Sequence, residues 1–412
     1  MTDWLHNHGF GQLDFSLFDR YRPTIFDAVG VSLGSGLGKL LVGVVAAYAG
    51  AVLLLSIPFF QGHVLYLNKI KLPFFARFDM PEKYGLAPNK TLNFKLHTPD
   101  GEKLGAWFIL ADPYQRAHPS LSAPRDWDAD VPTALRTYPT ILFFHGNAAT
   151  RAFPARLQHY VMFSSRLAAN VLAIDYRGFA DSTGTPSEEG LTTDAYEAWC
   201  WLTKNGAKAG DIVVIGHSLG TGVTARLGVG LERAGVKPRG LVLMSPFSSI
   251  AEVVKTYSIL GFIPLMRPLS IIPGATSLIG KLIVHRFDTL RAVSELTSAD
   301  IVVAHSENDL DIPHTHSETL FEAFLAPVLP TISDAEHPQA NGRDGRRALQ
   351  REDIVKTTAI SNFGTVQEFE DNRSGGRRVI FVKALAGAHD YLGIQEGLQD
   401  ILTRTFDLGH AL

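Results

Sequence analysis

Val213-Val214-Ile215-Gly216-His217-Ser218-Leu219-Gly220-Thr221-Gly222 decides how this chain is read. An apolar, β-branched run stops at Gly216, and Ser218 follows in a Gly-x-Ser-x-Gly frame before helix-compatible residues begin. A strand that turns into a helix within so few residues holds the serine in a strained backbone conformation, and small residues two positions to either side relieve the crowding. The hydroxyl is pushed out above the sheet. The amide NH of Leu219 points into the same space, where the start of a helix favours negative charge. Ser218 is therefore the candidate nucleophile and Leu219 a candidate oxyanion donor. The same spacing recurs at Gly30-Val31-Ser32-Leu33-Gly34, but no strand precedes it and a long apolar segment follows, so context rather than spacing singles out Ser218.

The 412 residues leave room for one large catalytic domain with appendages or for two smaller domains. A formal charge of -3, from 38 basic and 41 acidic residues, gives no reason to expect nucleic acid as a partner. The single cysteine, Cys200, excludes an internal disulfide, and its place between Trp199 and Trp201 suits a packed core thiol. After an N-terminal tail of residues 1–39, Leu40 through Phe60 carry no charge, show no polar face and are long enough to span a bilayer core. A cleaved leader would not sit behind so long a tail, so residues 40–60 are read as a transmembrane anchor. Arg20, Arg22 and Lys39 on one side balance Lys69, Lys71 and Arg77 on the other and leave the anchor unoriented. Within a linker of residues 61–89, Leu72-Pro73-Phe74-Phe75-Ala76-Arg77-Phe78 mixes aromatics and a cation as interfacial segments do.

From about residue 90 strands and helices alternate up to about residue 410. Leu92, Phe94 and Leu96 alternate with polar residues, Pro99-Asp100-Gly101 turns the chain, and Leu104 to Leu110 returns as the second strand of a hairpin. Thr140-Ile141-Leu142-Phe143-Phe144 reads as a central strand, ending in His145-Gly146-Asn147-Ala148. In this architecture a second oxyanion donor comes from the loop after that strand: Gly146 admits the substrate, and the NH of Asn147 or of Ala148 donates. His145 precedes the serine and suits a structural role. A helix follows, then the strand Val171-Leu172-Ala173-Ile174 and the turn Asp175-Tyr176-Arg177-Gly178, fixed by the Asp175 and Arg177 side chains. Such alternation implies a mostly parallel sheet with helices on both faces, an α/β class.

His145-Gly146-Asn147-Ala148, Asp175-Tyr176-Arg177-Gly178-Phe179, Gly216-His217-Ser218-Leu219-Gly220-Thr221-Gly222 and Ser245-Pro246-Phe247 together resemble the α/β-hydrolase superfamily. More closely they resemble its membrane-anchored branch of monoacylglycerol lipases and lysophospholipases, fungal-type bud-emergence-related hydrolases included. The resemblance covers roughly residues 40–325 and 377–405. It implies an α/β-hydrolase fold, single-chain lipid ester substrates, no cofactor, and a catalytic domain on the luminal side of the endoplasmic reticulum membrane. Asn89-Lys90-Thr91 and Asn372-Arg373-Ser374 are glycosylation acceptors compatible with that side.

The serine needs a base, and the base an acid that fixes its tautomer. Ile301-Val302-Val303-Ala304-His305 is the next strand, and after it Asp309 and Asp311 compete for the acid. The related pattern places the acid four residues before a proline, and Asp309 stands so before Pro313. His305, His314 and His316 lack further ligands of suitable spacing for a metal site. The last strand, Val379-Ile380-Phe381-Val382, leads to Ala386-Gly387-Ala388-His389-Asp390, and His389 resembles the family's catalytic histidine, with His314, His337 and His410 as rivals. Asp390 is expected to cap a final helix running from about Tyr391 to Phe406. Residues 327–376, polar and without periodicity, read as an inserted loop that lengthens the path between acid and base.

An apolar segment at about 250–287, punctuated by Pro264, Pro268 and Pro273, reads as a lid of broken amphipathic pieces. With the anchor, it favours hydrolysis of an acyl ester carrying one fatty chain. A depalmitoylating thioesterase would use the same residues, and a membrane scaffold with an inert hydrolase fold is the reading outside enzymology.

Overall fold

Uninterrupted apolar runs form the buried strands of one ten-stranded sheet, and alternating or polar runs form its edges. The structure is a computed structural model and describes residues 36–119, 124–256, 258–259, 263–264, 275–329, 350–374 and 376–412. Ser32, His337 and residues 257, 260–262 and 265–274 of the expected lid lie outside the described residues. The chain divides into two units, Met1–Phe60 and Gln61–Leu412.

In the first unit, α1 (Gly36–Leu55) is a helix long and apolar enough to cross a membrane, with a mean hydropathy of 2.0 over Gly38–Leu55. It stops earlier than the expected Phe60. The residue before a proline disfavours helical backbone, and Pro58 opens a separate helix, α2 (Pro58–Tyr66).

The second unit begins well before residue 90, because the stretch after α2 is part of its core and surface: Tyr66, Asn68 and Leu86 are buried. It continues with β1 (Thr91–His97), β2 (Lys103–Ile109), α3 (Asp112–Ala117), α4 (Trp127–Thr137) and β3 (Thr140–Phe144). Next come α5 (Pro154–Ser165), β4 (Asn170–Ile174), α6 (Glu188–Lys204), β5 (Ile212–His217), α7 (Leu219–Arg233) and β6 (Gly240–Met244). Of the lid region, α8 (Ile250–Thr256), a short pair β7 (Ser258–Ile259) and β8 (Ile263–Pro264), and α9 (Ala275–Leu282) are described. The unit ends with α10 (Thr289–Ser294), β9 (Ile301–Ser306), α11 (Thr315–Leu325), β10 (Lys356–Ile360), β11 (Gly364–Asp371), β12 (Arg377–Ala384) and α12 (Glu396–Phe406).

The strand order is β1-β2-β4-β3-β5-β6-β9-β12-β11-β10. The six strands from β4 to β12 in that order run parallel, and antiparallel pairs close both edges. Side chains alternate between the two faces. Leu142, Phe144, Val214, Leu243 and Val303 pack against Trp199 of α6, Val223 and Leu227 of α7, and Phe321 of α11. Ile141, Phe143, Val213, Ile215, Val242 and Val302 pack against Tyr160 and Phe163 of α5 and Leu402 and Phe406 of α12. Each such side chain contributes about 2 kcal/mol by leaving water, and the buried polar residues of the central strands, Thr140, Asn170, His217, His305 and Ser306, stand at the strand ends.

Two expectations fail at the far edge. Within residues 327–376, β10 and β11 form a hairpin that extends the sheet, Phe369 entering the core against Phe321 with ring centroids 5.4 Å apart. The final helix begins at Glu396 rather than Tyr391, and Asp390 does not cap it: Gln395 occupies the cap position without a side-chain hydrogen bond.

Candidate active site

The parallel strands carry their loops to one edge, and the candidate residues all follow the C-terminal ends of β3, β5, β9 and β12. At the end of β5 the turn is made at Ser218, with φ 52° and ψ -119°. A serine in that region costs about 1 kcal/mol or more, and the packing around it enforces the conformation. A Cβ on Gly216 would lie 2.3 Å from the Gly220 carbonyl oxygen, and one on Gly220 would lie 2.1 Å from that of Phe144. Helix α7 therefore starts in contact with β3 and β5, and the Ser218 NH is tied to the Met244 carbonyl at 3.0 Å.

The structure brings Ser218, His389 and Asp309 together from three loops. Ser218 Oγ stands 2.9 Å from His389 Nε2, and His389 Nδ1 stands 2.7 Å from Asp309 Oδ2. Asp309 Oδ1 accepts the backbone NH groups of Asp311 and Ile312, each at 2.9 Å, so the carboxylate is fixed in rotation. Asp311 is exposed and makes no such bond with the imidazole. His305 Nε2 lies 3.2 Å from Asp309 Oδ2 and 2.9 Å from the Ile312 carbonyl, which makes it the protonated nitrogen, while Nδ1 accepts from Ser317.

These contacts set the charges. Burial is the largest influence on Asp309 and pushes its carboxyl up. The hydrogen bonds of His305 and His389, the His389 charge and the Ile312 NH outweigh it and hold the group well below the ordinary carboxylate range. For His389 burial again comes first and lowers the pKa, but the hydrogen bond and charge of Asp309, with the charges of Asp311 and Asp390, leave it above 6.5. His217 is pushed down to about 4, by burial and then by the His389 charge, and stays neutral beside the imidazole. A serine hydroxyl bonded to an imidazole whose other nitrogen is held by a carboxylate can give up its proton as it attacks a carbonyl.

The loop after β3 faces the serine. A Cβ on Gly146 would come within 3.2 Å of Ser218 Cβ, a contact tight enough to press on the serine by a few tenths of an ångström. Of the two donors left open by the sequence, Ala148 is excluded: its NH is bonded to the Tyr66 carbonyl at 2.9 Å. The NH of Asn147 has no acceptor among the described residues, and that of Leu219, at the first position of α7, has none within the helix. Asn147 and Leu219 thus remain the candidate donors. Ala148 and Ala149 both have left-handed backbone, at φ 53° and 51°.

Several positioning groups carried no signal of their own in the sequence. Arg156, buried on α5, donates to the carbonyls of Gly146, Asn147, Ala148 and Thr150 and holds the loop from below. His217 Nε2 donates to the His389 carbonyl at 2.8 Å, and Asn308 accepts the Ala388 NH at 2.8 Å, so the histidine loop is pinned at both ends. His217 and Asn308 stand inside the quoted motifs, but nothing in the motifs says which backbone group each reaches. His145 Nδ1 donates to the Gly146 carbonyl, and Asp175 pairs with Arg151 at 2.6 Å, which are structural roles.

The other candidate histidines among the described residues are engaged elsewhere: His314 with Glu318, His316 with Ser248 and Thr256, His410 with Asp407. The side-chain donors of Asp309, Asp311 and His389 lie within 4.8 Å of one another, as a metal site would require. The hydrogen bonds already described use the Asp309 oxygens and His389 Nδ1.

A parallel-centred sheet with a serine elbow after β5, an acid after β9 and a histidine after β12 is the arrangement of α/β hydrolases, and this chain belongs to the alpha/beta hydrolase family, whose model matches residues 141–336. The chain is similar to the lysophosphatidylserine lipase ABHD12 of Danio rerio, 30% identical over 291 residues, covering 69% of this chain and 72% of that protein. It is 35% identical over 228 residues to the ABHD12 of Xenopus tropicalis, covering 55% of this chain and 56% of the relative, little more than half its length. Among solved structures, an alpha-beta hydrolase of Vibrio vulnificus matches 65% of this chain and 81% of its own, at 19% identity and a TM-score of 0.46.

Proposed function

We propose that this chain is a membrane-anchored serine hydrolase that cleaves the acyl ester of a single-chain lipid, a lysophospholipid above all. The observation that carries the reading is the continuous chain from Ser218 Oγ through His389 to Asp309, with bonds of 2.9 and 2.7 Å. The similarity to lysophosphatidylserine lipases supports a lysophospholipid over other acyl esters.

In this mechanism Ser218 Oγ attacks the ester carbonyl as its proton passes to His389 Nε2, and the charge that forms on the ring is stabilised by Asp309. The carbonyl oxygen becomes an oxyanion, which the NH groups of Leu219 and Asn147 hold; each such donor is worth about 3 kcal/mol in comparable sites. His389 returns the proton to the departing glycerol oxygen, and the acyl group stays on Ser218. Water then attacks the acyl-enzyme by the same steps in reverse, releasing fatty acid and the free serine. Helix α1 holds the enzyme in the membrane that contains its substrate, and the domain lies on the luminal side of the endoplasmic reticulum.

Covalent labelling by a fluorophosphonate, lost in Ser218→Ala, together with fatty acid release from lysophosphatidylserine, tests the chemistry. A folded wild-type protein that takes no label refutes it. Asn372 is exposed, so a luminal domain carries a glycan there that is absent in Asn372→Gln; a glycan-free protein from a secretory host refutes the orientation.

A further inference from the structure

The stretch after α2 supplies more than a tether. The NH groups of Ala148, Ala149 and Thr150 donate in succession to the carbonyls of Tyr66 (2.9 Å), Ile70 (2.7 Å) and Leu72 (3.0 Å). Asn147 Nδ2 reaches the Leu65 carbonyl at 3.3 Å, and Asn68 reaches that of Gly178 at 2.9 Å. The loop beside Ser218 is thus hydrogen-bonded along its length to residues 65–72.

Directly on this strap stand large apolar side chains that pack against little. Phe75 is 97% exposed, Phe74 67% and Ile70 42%. Phe75 also has left-handed backbone, φ 58°, a conformation that costs an aromatic residue about 1 kcal/mol or more. A chain that gains nothing in water from showing two adjacent phenylalanines gains from a partner that takes them up. The cations beside them are Lys69, which is exposed, Lys71, which donates to the Ala180 carbonyl, and Arg77, which is paired with Asp79 at 2.9 Å.

We propose that the loop Ile70–Phe75 is a docking surface for a phospholipid bilayer and sets the mouth of the Ser218 site against the lipid surface. The occupant follows from the chain: fourteen residues separate Leu55, the end of the apolar helix, from Ile70, and with Pro58–Tyr66 helical they reach about 35 Å at most. A membrane that holds the helix is therefore within reach of the loop. Aromatic rings beside cations suit the boundary between headgroups and acyl chains. Through the three backbone bonds, lipid at Phe74 and Phe75 lies next to the loop that carries the Asn147 NH.

The experiment uses the full chain in phosphatidylcholine vesicles, in a Cys200→Ser background. Phe75→Cys carries an environment-sensitive fluorophore, with Lys208→Cys as the control, exposed ahead of β5 at the opposite edge of the sheet. Brominated phosphatidylcholine is expected to remove about half or more of the emission at position 75 and none at 208. Absence of quenching at 75, or equal quenching at both, overturns the proposal without touching the hydrolase reading.

The second readout rests on that reading. Phe74→Ser/Phe75→Ser is expected to lower hydrolysis of vesicle-borne lysophospholipid about tenfold and to leave a short water-soluble ester within about twofold. Equal loss on both substrates, or no loss on either, counts against docking. A wild-type protein inactive on both substrates sinks the hydrolase reading alone, and the quenching result then decides the docking surface by itself.

Discussion

Asp309→Asn tests the relay where the geometry is most specific. The side chain serves two sets of donors: the fixed backbone NH groups of Asp311 and Ile312 on Oδ1, and the rings of His389 and His305 on Oδ2. A carboxamide has only one oxygen. If that oxygen keeps the two backbone bonds, its NH2 group faces His389 Nδ1, and the ring must carry its proton on Nε2, where it cannot accept from Ser218. If the amide turns over, its NH2 group meets two NH donors that cannot move, and the negative charge that stabilises the imidazolium is lost in either case. The expected loss in kcat is about 10⁴-fold, the size seen when a triad acid elsewhere becomes an amide, or about 5.5 kcal/mol of barrier. KM is expected to stay close to wild type, because both Asp309 oxygens are taken up by the Asp311 and Ile312 NH groups and the two imidazoles. Asp311→Asn is the control: Asp311 is exposed and acts on His389 only through its charge, so the loss is within about threefold. The assay is steady-state hydrolysis of a soluble ester, with thermal unfolding to establish that each variant is folded. If Asp309→Asn keeps activity within tenfold of wild type while Asp311→Asn collapses, the acid has been misassigned.

Three further outcomes are expected. The pKa of His389 is raised above 6.5, and only the neutral ring accepts the serine proton, so kcat/KM climbs through an ionisation above 6.5 as pH increases; a limb centred well below that value contradicts the Asp309 contact. The same shift contributes stability that is whole below the unfolded value of about 6.5 and fades as pH rises through the folded one. Arg156→Met removes the donor shared by four carbonyls of the loop, and is expected to cost about 3 kcal/mol in denaturant unfolding and tenfold or more in kcat with little change in KM. Phe369→Ala is expected to destabilise by about 3 to 4 kcal/mol, since its ring is buried against Phe321; a surface insertion would tolerate the change.

How far the sequence could be read depended on whether a feature is carried by side chains. Central parallel strands are buried on both faces, so β3, β5, β6 and β9 appear as unbroken apolar runs, and the elbow demands small residues at Gly216 and Gly220 that can be seen directly. Those constraints brought Ser218, Asp309 and His389 within reach of one another on paper as they are in space. Strands β10 and β11 escaped because their residues are largely polar: Lys-Thr-Thr-Ala-Ile at the edge is open to solvent along its whole length, and β11 is half-buried for much of its length, with Gly364, Phe369 and Asp371 buried. The strap of residues 65–72 escaped for another reason. It acts through the carbonyls of Tyr66, Ile70 and Leu72, and every residue has a carbonyl. Arg156 acts on carbonyls as well, so nothing marked it among the other arginines. The same ambiguity left Asn147 and Ala148 undivided until the Tyr66 carbonyl was seen to occupy one of them.

Part of the left-handed backbone gathers on the edge where those residues meet. Ala148, Ala149, Ser218, Ser245 and Ala388 all have left-handed backbone, with φ between 45° and 53°, and they fall in the loops after β3, β5, β6 and β12, the edge where the candidate residues meet. Each costs about 1 kcal/mol or more, which no short loop could sustain by itself. The bonds that hold them come from outside the loops: Met244 O for Ser218, Ala304 O for Ser245, Asn308 for Ala388, Tyr66 O and Ile70 O for the two alanines. Relieving the strain at a single position would then loosen the site before it loosened the sheet. In Ala149→Gly the left-handed conformation is free, but so are its alternatives, and the Asn147 NH gains freedom it did not have. Activity should fall while the unfolding transition barely moves. A variant that loses stability and activity in proportion would mean that these conformations belong to the fold at large and not to the preorganisation of its catalytic edge.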